Sequence, residues 1–241
     1  MITELAPRPG DTVLELAAGV GDTGFEAAAI LGDGGRLIST DFSPAMVEAA
    51  RRRGAELGLQ NVEYRVMDAE RLELDPNSVD GVLCRYGYML MPDPAAAFAE
   101  TRRVLRPGGR LVLAVWGAPE RNPFFSIMAM NLVQRGHIPP PEPGAPGIFS
   151  MASEEHTSSL LEGAGFSEVR TEEVSARFAF GDVQEYMSFV IDTAGPIALA
   201  LRGLPEEERE AIKAQLDEAL ASFATDGGYE VPGVSLAAVA S

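Results

Sequence analysis

Residues 12–24, TVLELAAGVGDTG, decide the fold class of this chain. The stretch starts with buried-strand character, passes through a cluster of small residues and ends in a helix-compatible segment. In such a turn the backbone can approach a ligand closely, because no bulky substituent stands between them. The small residues are Ala17, Ala18, Gly19 and Gly21. The stretch therefore predicts a nucleotide or nucleoside site.

The spacing of the glycines leaves two ligands open. Gly19, Gly21 and Gly24 match the G-x-G-x-x-G pattern of dinucleotide-binding folds, and Asp41 follows about 20 residues later. Glu15 argues against a dinucleotide, since it places a carboxylate inside the strand, where such folds normally have apolar residues. An acidic group there suits a ligand with positive charge, such as a sulfonium with an α-amino group. A glycine-rich turn without any ligand is the third alternative.

The composition restricts the compartment and the partners of the protein. The 241 residues suffice for a sizeable core, and no run reaches the ~18 apolar residues of a membrane span. The start of the chain lacks the pattern of a signal peptide, so we expect a cytoplasmic protein. A net charge of -17 argues against nucleic acid as a partner. Cys84 is the only cysteine, which excludes an intrachain disulfide, and no Cys/His cluster is present to bind zinc.

Strands and helices alternate over residues 11–116. The predicted strands are 12–16, 36–40, 61–67, 79–84 and 110–116, and the predicted helices are 25–31, one starting at 43–44, and 94–105. This alternation predicts a doubly wound, mostly parallel sheet. Such sheets bind ligands at the carboxyl ends of their strands. Those ends carry Gly19, Asp41, Asp68 and Cys84.

The second half of the chain is predicted to complete the sheet. A helix (152–164) precedes a sixth strand (169–180), and two helices (183–201 and 205–223) precede a seventh strand (234–240), antiparallel beside the sixth. The proline-rich stretch 137–146 is expected to be a surface loop or lid. The predicted parts are a ligand-binding core (1–117), a lid or loop segment (118–150), and the completion of the sheet (151–241) with a helical cap (183–223) inserted between its last two strands.

Four stretches carry a family resemblance: VLELAAGVGDTG, STDFSPAMVEAAR, MDAERL and DGVLCRYGYMLMPDPAAAFAETRRVLRPGGRLVLAVW. They resemble the class I S-adenosylmethionine-dependent methyltransferases, and in particular the ubiquinone/menaquinone-biosynthesis C-methyltransferase-like subgroup. The last stretch is the most specific. The resemblance implies an α/β, Rossmann-like methyltransferase fold with seven strands. It also implies transfer of a methyl group from S-adenosylmethionine to an O, C or N atom of a small, apolar or aromatic acceptor, with S-adenosylhomocysteine as product.

The resemblance implies a cradle for the methionine and ribose parts of this cofactor. Glu15 would lie under the turn and help to hold the methionine end. The backbone of Ala17, Gly19 and Gly21 would lie beside it. Asp41 would accept hydrogen bonds from the two ribose hydroxyls, a bidentate role that suits a carboxylate.

The adenine ring would be bound by the residues that follow the second and third strands. The resemblance implies that Phe42 and Met46 pack on the ring. Asp68 would accept a hydrogen bond from the adenine amino group, and Ala69 would supply a backbone N–H. An aromatic or Met side chain near a helix start is equally compatible with simple core packing.

The residues after the fourth strand would face the reacting groups. The resemblance implies that Cys84 and Arg85 place their backbone at the amino acid moiety and that Arg85 or Tyr86 faces the transferred methyl group. Tyr86 and His137 are the candidates for a catalytic group, both weak. No metal ion is expected to take part.

Two other functions stay open. The chain could be a non-catalytic ligand-binding or scaffold protein with the same fold, since few residues precede the first strand. It could also be a nicotinamide-dependent oxidoreductase, which Glu15 and the lack of a Tyr/Lys or His constellation disfavour. The expected partner is a small-molecule acceptor, not nucleic acid or a membrane span, and a homodimer is left open.

Overall fold

The computed structural model describes residues 1–142 and 144–241, apart from the side chain of residue 196. Residue 143, in the predicted loop 137–146, lies outside the described residues. Contacts divide the chain into two compact units. The first comprises Met1–Trp116, Pro146–Glu173 and Leu236–Ser241, and the second comprises Gly117–Ala145 and Val174–Ser235. The predicted division at residues 117 and 150 stays a prediction.

The described strands form one sheet. They are β1 (Thr12–Leu16), β2 (Arg36–Asp41), β3 (Val62–Val66), β4 (Val79–Arg85), β5 (Leu105–Trp116), β6 (Arg170–Phe180), β7 (Ala224–Thr225) and β8 (Gly228–Ala240). The strand order is β3-β2-β1-β4-β5-β8-β6, and β7 pairs with β8 outside this path. The predicted α/β fold with a mostly parallel sheet is confirmed, and the two-residue β7 adds an eighth strand to the seven predicted ones.

Strand β1 lies between β2 and β4 and is parallel to both. Leu14 is in register with Ile38 on one side and Val82 on the other, and all three side chains are buried. Parallel sheets of this kind are covered on both faces, which favours continuous apolar strands. Glu15 is therefore an exception in the centre of the sheet.

The helices are α1 (Ile2–Leu5), α2 (Asp22–Leu31), α3 (Pro44–Glu56), α4 (Pro94–Val104), α5 (Pro123–Gln134), α6 (Glu154–Gly163), α7 (Val183–Thr193), α8 (Gly195–Arg202) and α9 (Glu206–Leu220). Helix α3 begins as predicted, because the Ser43 side chain accepts a hydrogen bond from the Met46 N–H and Pro44 occupies the first turn. Among the described residues, no helix has the length and apolar character needed to cross a bilayer.

The helices differ from the predicted ones in several places. Helix α2 begins at Asp22 instead of residue 25, after a cap at Gly21 with φ 87°. The predicted helix 183–201 is broken at Ala194, which has φ -123°, and the proline that follows lies in the first turn of α8. The short α1 precedes the first predicted strand.

Two strands are longer than predicted. Strand β5 begins at Leu105 instead of residue 110, because its pairing with β4 shifts register between Val79 and Gly81. Residues 107–109 are thus part of a bulged strand, with Gly108 at φ 80°. Strand β8 begins at Gly228 instead of residue 234.

Strands β6 and β8 run antiparallel, as predicted. Ser167, just before β6, and Ser241, just after β8, exchange two backbone hydrogen bonds of 2.8 and 3.1 Å. The beginning of one strand therefore meets the end of the other, and reciprocal bonds of this kind are the antiparallel pattern. The predicted cap between these strands in sequence consists of α7, α8 and α9.

The core of the second unit is aromatic. The ring of Phe124 is fully buried, with centroid distances of 4.2 Å to Phe178 and 6.4 Å to Phe189. Next to it, the buried Asn122 amide accepts the Val234 N–H at 2.9 Å and donates to the Val234 carbonyl at 3.0 Å. Ring packing and one satisfied amide thus hold the start of α5 to β8.

Candidate functional site

Glu15 lies inside β1 beneath the glycine turn, where it is only 3% exposed. Its Oε1 accepts the Gly24 N–H at 2.7 Å, and its Oε2 is buried without a hydrogen-bond partner among the described residues. Burial raises the pKa of Glu15 from 4.5 to about 7, although the Gly24 bond and the Arg85 charge act to lower it. A Cβ on Gly24 would overlap the carboxylate. Glu15 therefore fastens the turn to β1 and keeps one oxygen unsatisfied.

Asp41 is the last residue of β2, and both of its carboxylate oxygens accept backbone N–H groups. Oδ2 accepts from Gly19 at 2.9 Å, and Oδ1 accepts from Ser43 at 2.8 Å. These bonds tie the glycine turn to the start of α3. An ionised carboxylate has about four acceptor sites, so roughly two are left for a ligand.

The glycine turn needs left-handed backbone at three positions. Ala17, Gly19 and Gly21 have φ values of 49°, 56° and 87°. For an alanine this conformation costs roughly 1 kcal/mol. The methyl group of Ala17 is accommodated because Gly87 opposite it has no side chain, and a Cβ there would lie 2.6 Å from the Ala17 Cβ. Gly87 therefore leaves the space that the Ala17 methyl group occupies.

The predicted adenine residues lie at the adjoining ends of β2 and β3. Phe42 and Met46 follow β2 and are 79% and 44% exposed. Asp68 follows β3, is exposed, and accepts the Glu70 N–H at 2.9 Å through Oδ1, and Ala69 beside it is half-buried. Exposed apolar side chains beside a carboxylate form a surface that suits a planar ligand with a polar edge.

Three charged side chains lie at the opening of the turn, and the sequence analysis identified only one of them. Asp22 accepts a hydrogen bond from Arg53 at Oδ1 and from Arg85 at Oδ2, the latter at 3.1 Å. The hydrogen bond and charge of Arg53, and then Arg85, lower the pKa of Asp22 below its usual value, although burial acts to raise it. Asp22 stands within the glycine stretch, so a search for charges in the motif could have found it, whereas Arg53 is 31 residues further along the chain.

The end of β4 carries a buried thiol and a stacked aromatic ring. Cys84 is fully buried, and burial raises the pKa of its thiol to about 12, so this side chain packs and does not react. Tyr86 has φ 61°, and its ring stacks on Trp116 with 4.2 Å between centroids and 7° between planes. Trp116, at the end of β5, was missed because strand-end aromatics carry no motif.

His137 belongs to the second unit, where it forms part of an ion cluster. Its Nε2 lies 2.6 Å from Oε1 of Glu208, and Arg135 donates to both Glu208 oxygens at 2.7 Å. Arg135 first and His137 second lower the pKa of Glu208 to about 2. The described residues contain no group of three His, Cys, Asp or Glu that could hold a metal ion.

A family model described as a methyltransferase domain matches residues 16–113. The match begins at the last residue of β1 and ends within β5, so it includes the glycine turn and Asp41.

Two curated relatives carry methyltransferase names. A demethylmenaquinone methyltransferase of Clavibacter sepedonicus is 32% identical over 161 residues, which are 59% of this chain and 61% of the relative. An arsenite methyltransferase of Halobacterium salinarum is 31% identical over 186 residues, with 74% of this chain and 45% of the relative covered. The chain thus spans less than two thirds of the length of both relatives.

The fold also matches a solved structure over the whole chain. The YcgJ protein of Bacillus subtilis has a TM-score of 0.67 to this chain, covering 100% of this chain and 95% of that one at 21% identity. At this identity the likeness concerns the fold, which by itself does not determine function.

Proposed function

We propose that this protein is a class I S-adenosylmethionine-dependent methyltransferase of the ubiquinone/menaquinone-biosynthesis type, because residues 16–113 match a methyltransferase domain and relatives with methyltransferase names are similar to part of the chain. Its cofactor is S-adenosylmethionine, and S-adenosylhomocysteine is the product. The acceptor is a small, apolar or aromatic molecule that is methylated on an O, C or N atom. The observation that carries the proposal is the cradle of Glu15, the glycine turn and Asp41 at the carboxyl ends of β1 and β2.

The residues of the first unit fit the chemical groups of S-adenosylmethionine. The two remaining acceptor sites of Asp41 match two ribose hydroxyls. Phe42 and Met46 offer exposed apolar surface for adenine, with Asp68 and Ala69 at its polar edge. The unsatisfied Oε2 of Glu15 suits the positive charge of the methionine end.

When bound, S-adenosylmethionine supplies a methyl group on a positively charged sulfur, which an acceptor atom can displace. The chain then contributes orientation and exclusion of water. Tyr86 is held in place by its stack on Trp116 and offers a fixed ring edge and hydroxyl to orient an aromatic acceptor. His137 stays a weak candidate for a base, because Glu208 engages its Nε2.

The two alternatives differ from this proposal in what they bind. A nicotinamide-dependent oxidoreductase would bind NAD, against which the buried Glu15 carboxyl argues. A non-catalytic protein of the same fold would bind S-adenosylmethionine and transfer nothing. A cytoplasmic location and a homodimer are further parts of the proposal, and light scattering of the purified chain tests the homodimer.

The test is cofactor turnover with a panel of small acceptors, including quinols, phenols and aliphatic amines. We expect S-adenosylhomocysteine to form only when one class of acceptor is present, and Tyr86→Phe to slow this turnover. Binding of S-adenosylmethionine without turnover for every acceptor would favour the non-catalytic alternative. Binding of NAD instead of S-adenosylmethionine would favour the oxidoreductase.

A further inference from the structure

A polar cavity of about 370 Å³ lies in the first unit, away from the candidate cofactor site. Its lining includes Asp11, which directly precedes β1, Asp80 near the start of β4, and residues 106–110 near the start of β5. Because these parallel strands begin at one edge of the sheet and end at the other, the cavity lies opposite the carboxyl ends that carry the glycine turn. A cavity of this volume can hold a small molecule.

The charges that line this cavity leave a positive surplus. Arg8 stands between α1 and β1, and Arg106 and Arg110 stand on either side of the bulge in β5. Among the described residues of the lining, these three positive charges face two negative ones, Asp11 and Asp80. In a chain with a net charge of -17, the cavity is thus a local positive region that attracts anions.

Arg106 forms a fixed wall of the cavity. Its Nη1 lies 2.5 Å from both oxygens of Asp80, and its Nε donates to the Asn77 carbonyl at 3.3 Å. Asp80 also accepts the Thr12 N–H at 2.8 Å. This ion pair neutralises Asp80 and holds the starts of β1, β4 and β5 together, so the surplus charge comes from the other two arginines.

Arg8 and Arg110 have hydrogen-bond donors to spare. Asp11 accepts the backbone N–H of Arg8 at 2.8 Å, and the exposed Arg8 guanidinium donates to no group within the described residues. Nη1 of Arg110 donates to the Glu4 carbonyl at 3.3 Å, and its other nitrogens donate to none of the described residues. Since a guanidinium has five N–H donors, most of those on these two side chains are available to a ligand.

The donors at this cavity suit a phosphate group better than a carboxylate. A carboxylate has two oxygens and matches one guanidinium fork, whereas a phosphate ester has three acceptor oxygens and a charge of about -1.5 to -2 at pH 7. A diphosphate offers still more oxygens to two forks. The negative charge of the whole chain favours a small molecule over a phosphate polymer.

We propose that this cavity binds a small molecule with a phosphate or diphosphate group through the side chains of Arg8 and Arg110. The pair of Arg106 and Asp80 shapes the wall beside them. The inference goes beyond the proposed function and does not depend on it, because the cavity and the candidate cofactor site lie at opposite edges of the sheet.

The test is calorimetry with pyrophosphate and with inorganic phosphate, at one ionic strength because salt screens exposed charges. The proteins are the wild-type chain, Arg8→Gln and Arg110→Gln. Arg71→Gln is the matched control, since it removes the same charge from an exposed residue of the same unit that has no side-chain hydrogen bond among the described residues. Thermal unfolding verifies that each variant is folded.

We expect pyrophosphate to bind more tightly than inorganic phosphate, because it offers more oxygens to the two guanidiniums. Arg8→Gln and Arg110→Gln should each weaken pyrophosphate binding about ten-fold, as for the loss of one charge-assisted hydrogen bond, and Arg71→Gln should stay within about two-fold of wild type. Binding of S-adenosylmethionine should be the same in wild type and Arg8→Gln.

Three results would overturn the inference. One is the absence of pyrophosphate binding by the folded wild-type chain at millimolar ligand, and another is an equal loss in Arg71→Gln and Arg8→Gln. The third is a loss in Arg85→Gln that Arg8→Gln and Arg110→Gln do not show, since it would place the anion at the glycine turn. Each of these results leaves the proposed function unchanged.

Discussion

The glycine turn of the first unit and the aromatic core of the second unit are held together by contacts of different range. In the turn, carboxylates bind backbone N–H groups that are close in sequence, such as Glu15 with Gly24, nine residues away. In the second unit, the contacts join distant residues, such as Asn122 and Val234, which are 112 residues apart. A short motif can therefore specify the first region, whereas the second depends on pairings that no local pattern contains.

The largest expected effect on stability comes from a substitution in the aromatic core of the second unit. Phe124→Ala removes a fully buried ring that packs on three other phenylalanines and should lower the free energy of unfolding by about 3 to 5 kcal/mol. Urea unfolding, monitored by circular dichroism, measures this free energy of unfolding. Leu199→Ala, at a 70% exposed side chain of α8, is the control and should change it by less than about 0.5 kcal/mol. A similar loss in both variants would mean that the ring cluster does not hold the second unit.

The next largest effect is the pH dependence of stability that arises from the buried Glu15 carboxyl beneath the turn. Because the pKa of Glu15 is raised from 4.5 to about 7, the folded chain retains its proton over this range while the unfolded chain releases it. Stability contributed by this group therefore falls as pH rises from about 4.5 to 7 and is constant above. Relative to wild type, Glu15→Gln should gain up to about 3 kcal/mol of stability between these limits.

Urea unfolding of wild type and Glu15→Gln at several pH values measures this difference. Gln can still accept the Gly24 N–H, so the main hydrogen bond of the turn is kept. Glu26→Gln, at an exposed residue of α2, controls for the loss of one negative charge. A difference between Glu15→Gln and wild type that does not vary with pH would show that the pKa of Glu15 is not raised in the folded chain.

The smallest effect concerns the ion cluster of the second unit. The pKa of Glu208 is lowered from 4.5 to about 2 by Arg135 and His137, so its stabilisation is complete above pH 4.5 and is lost as pH falls towards 2. Glu208→Gln should therefore be less stable than wild type at neutral pH, by a small amount because surface ion pairs contribute little. Glu207→Gln, the exposed neighbour, is the control. Equal stability of Glu208→Gln and wild type at pH 7 would show that the ion cluster does not stabilise the folded chain.

The same difference in contact range explains what the sequence could predict. The order of strands and helices over residues 11–116 follows from apolar runs, caps and glycines, all of which are local. The bulge that extends β5 does not follow from local features, because it arises from the register of β5 with β4. The break between α7 and α8 could have been predicted, because Gly195 is followed by a proline.

The residues of the candidate site also divide into those that the sequence could predict and those that it could not. Glu15 and Asp41 stand at motif positions, and both accept backbone N–H groups from the glycine stretch, while their role toward a cofactor stays a prediction. Asp22 meets Arg53, and Tyr86 meets Trp116, only in the folded chain, since the two members of each pair are distant in the sequence. The ion cluster of His137 likewise depends on the packing of α5 against α9.

The most direct test of the central claim is calorimetry of S-adenosylmethionine binding to wild type, Asp41→Ala and Asp33→Ala, with NAD as competitor. We expect micromolar binding by wild type and by Asp33→Ala, an exposed aspartate without side-chain hydrogen bonds among the described residues. Asp41→Ala should bind at least about 100-fold more weakly, since it removes the two proposed ribose contacts and the bonds that shape the turn, and NAD should not compete. Unchanged binding by Asp41→Ala, or no binding by the folded wild-type chain, would contradict the account.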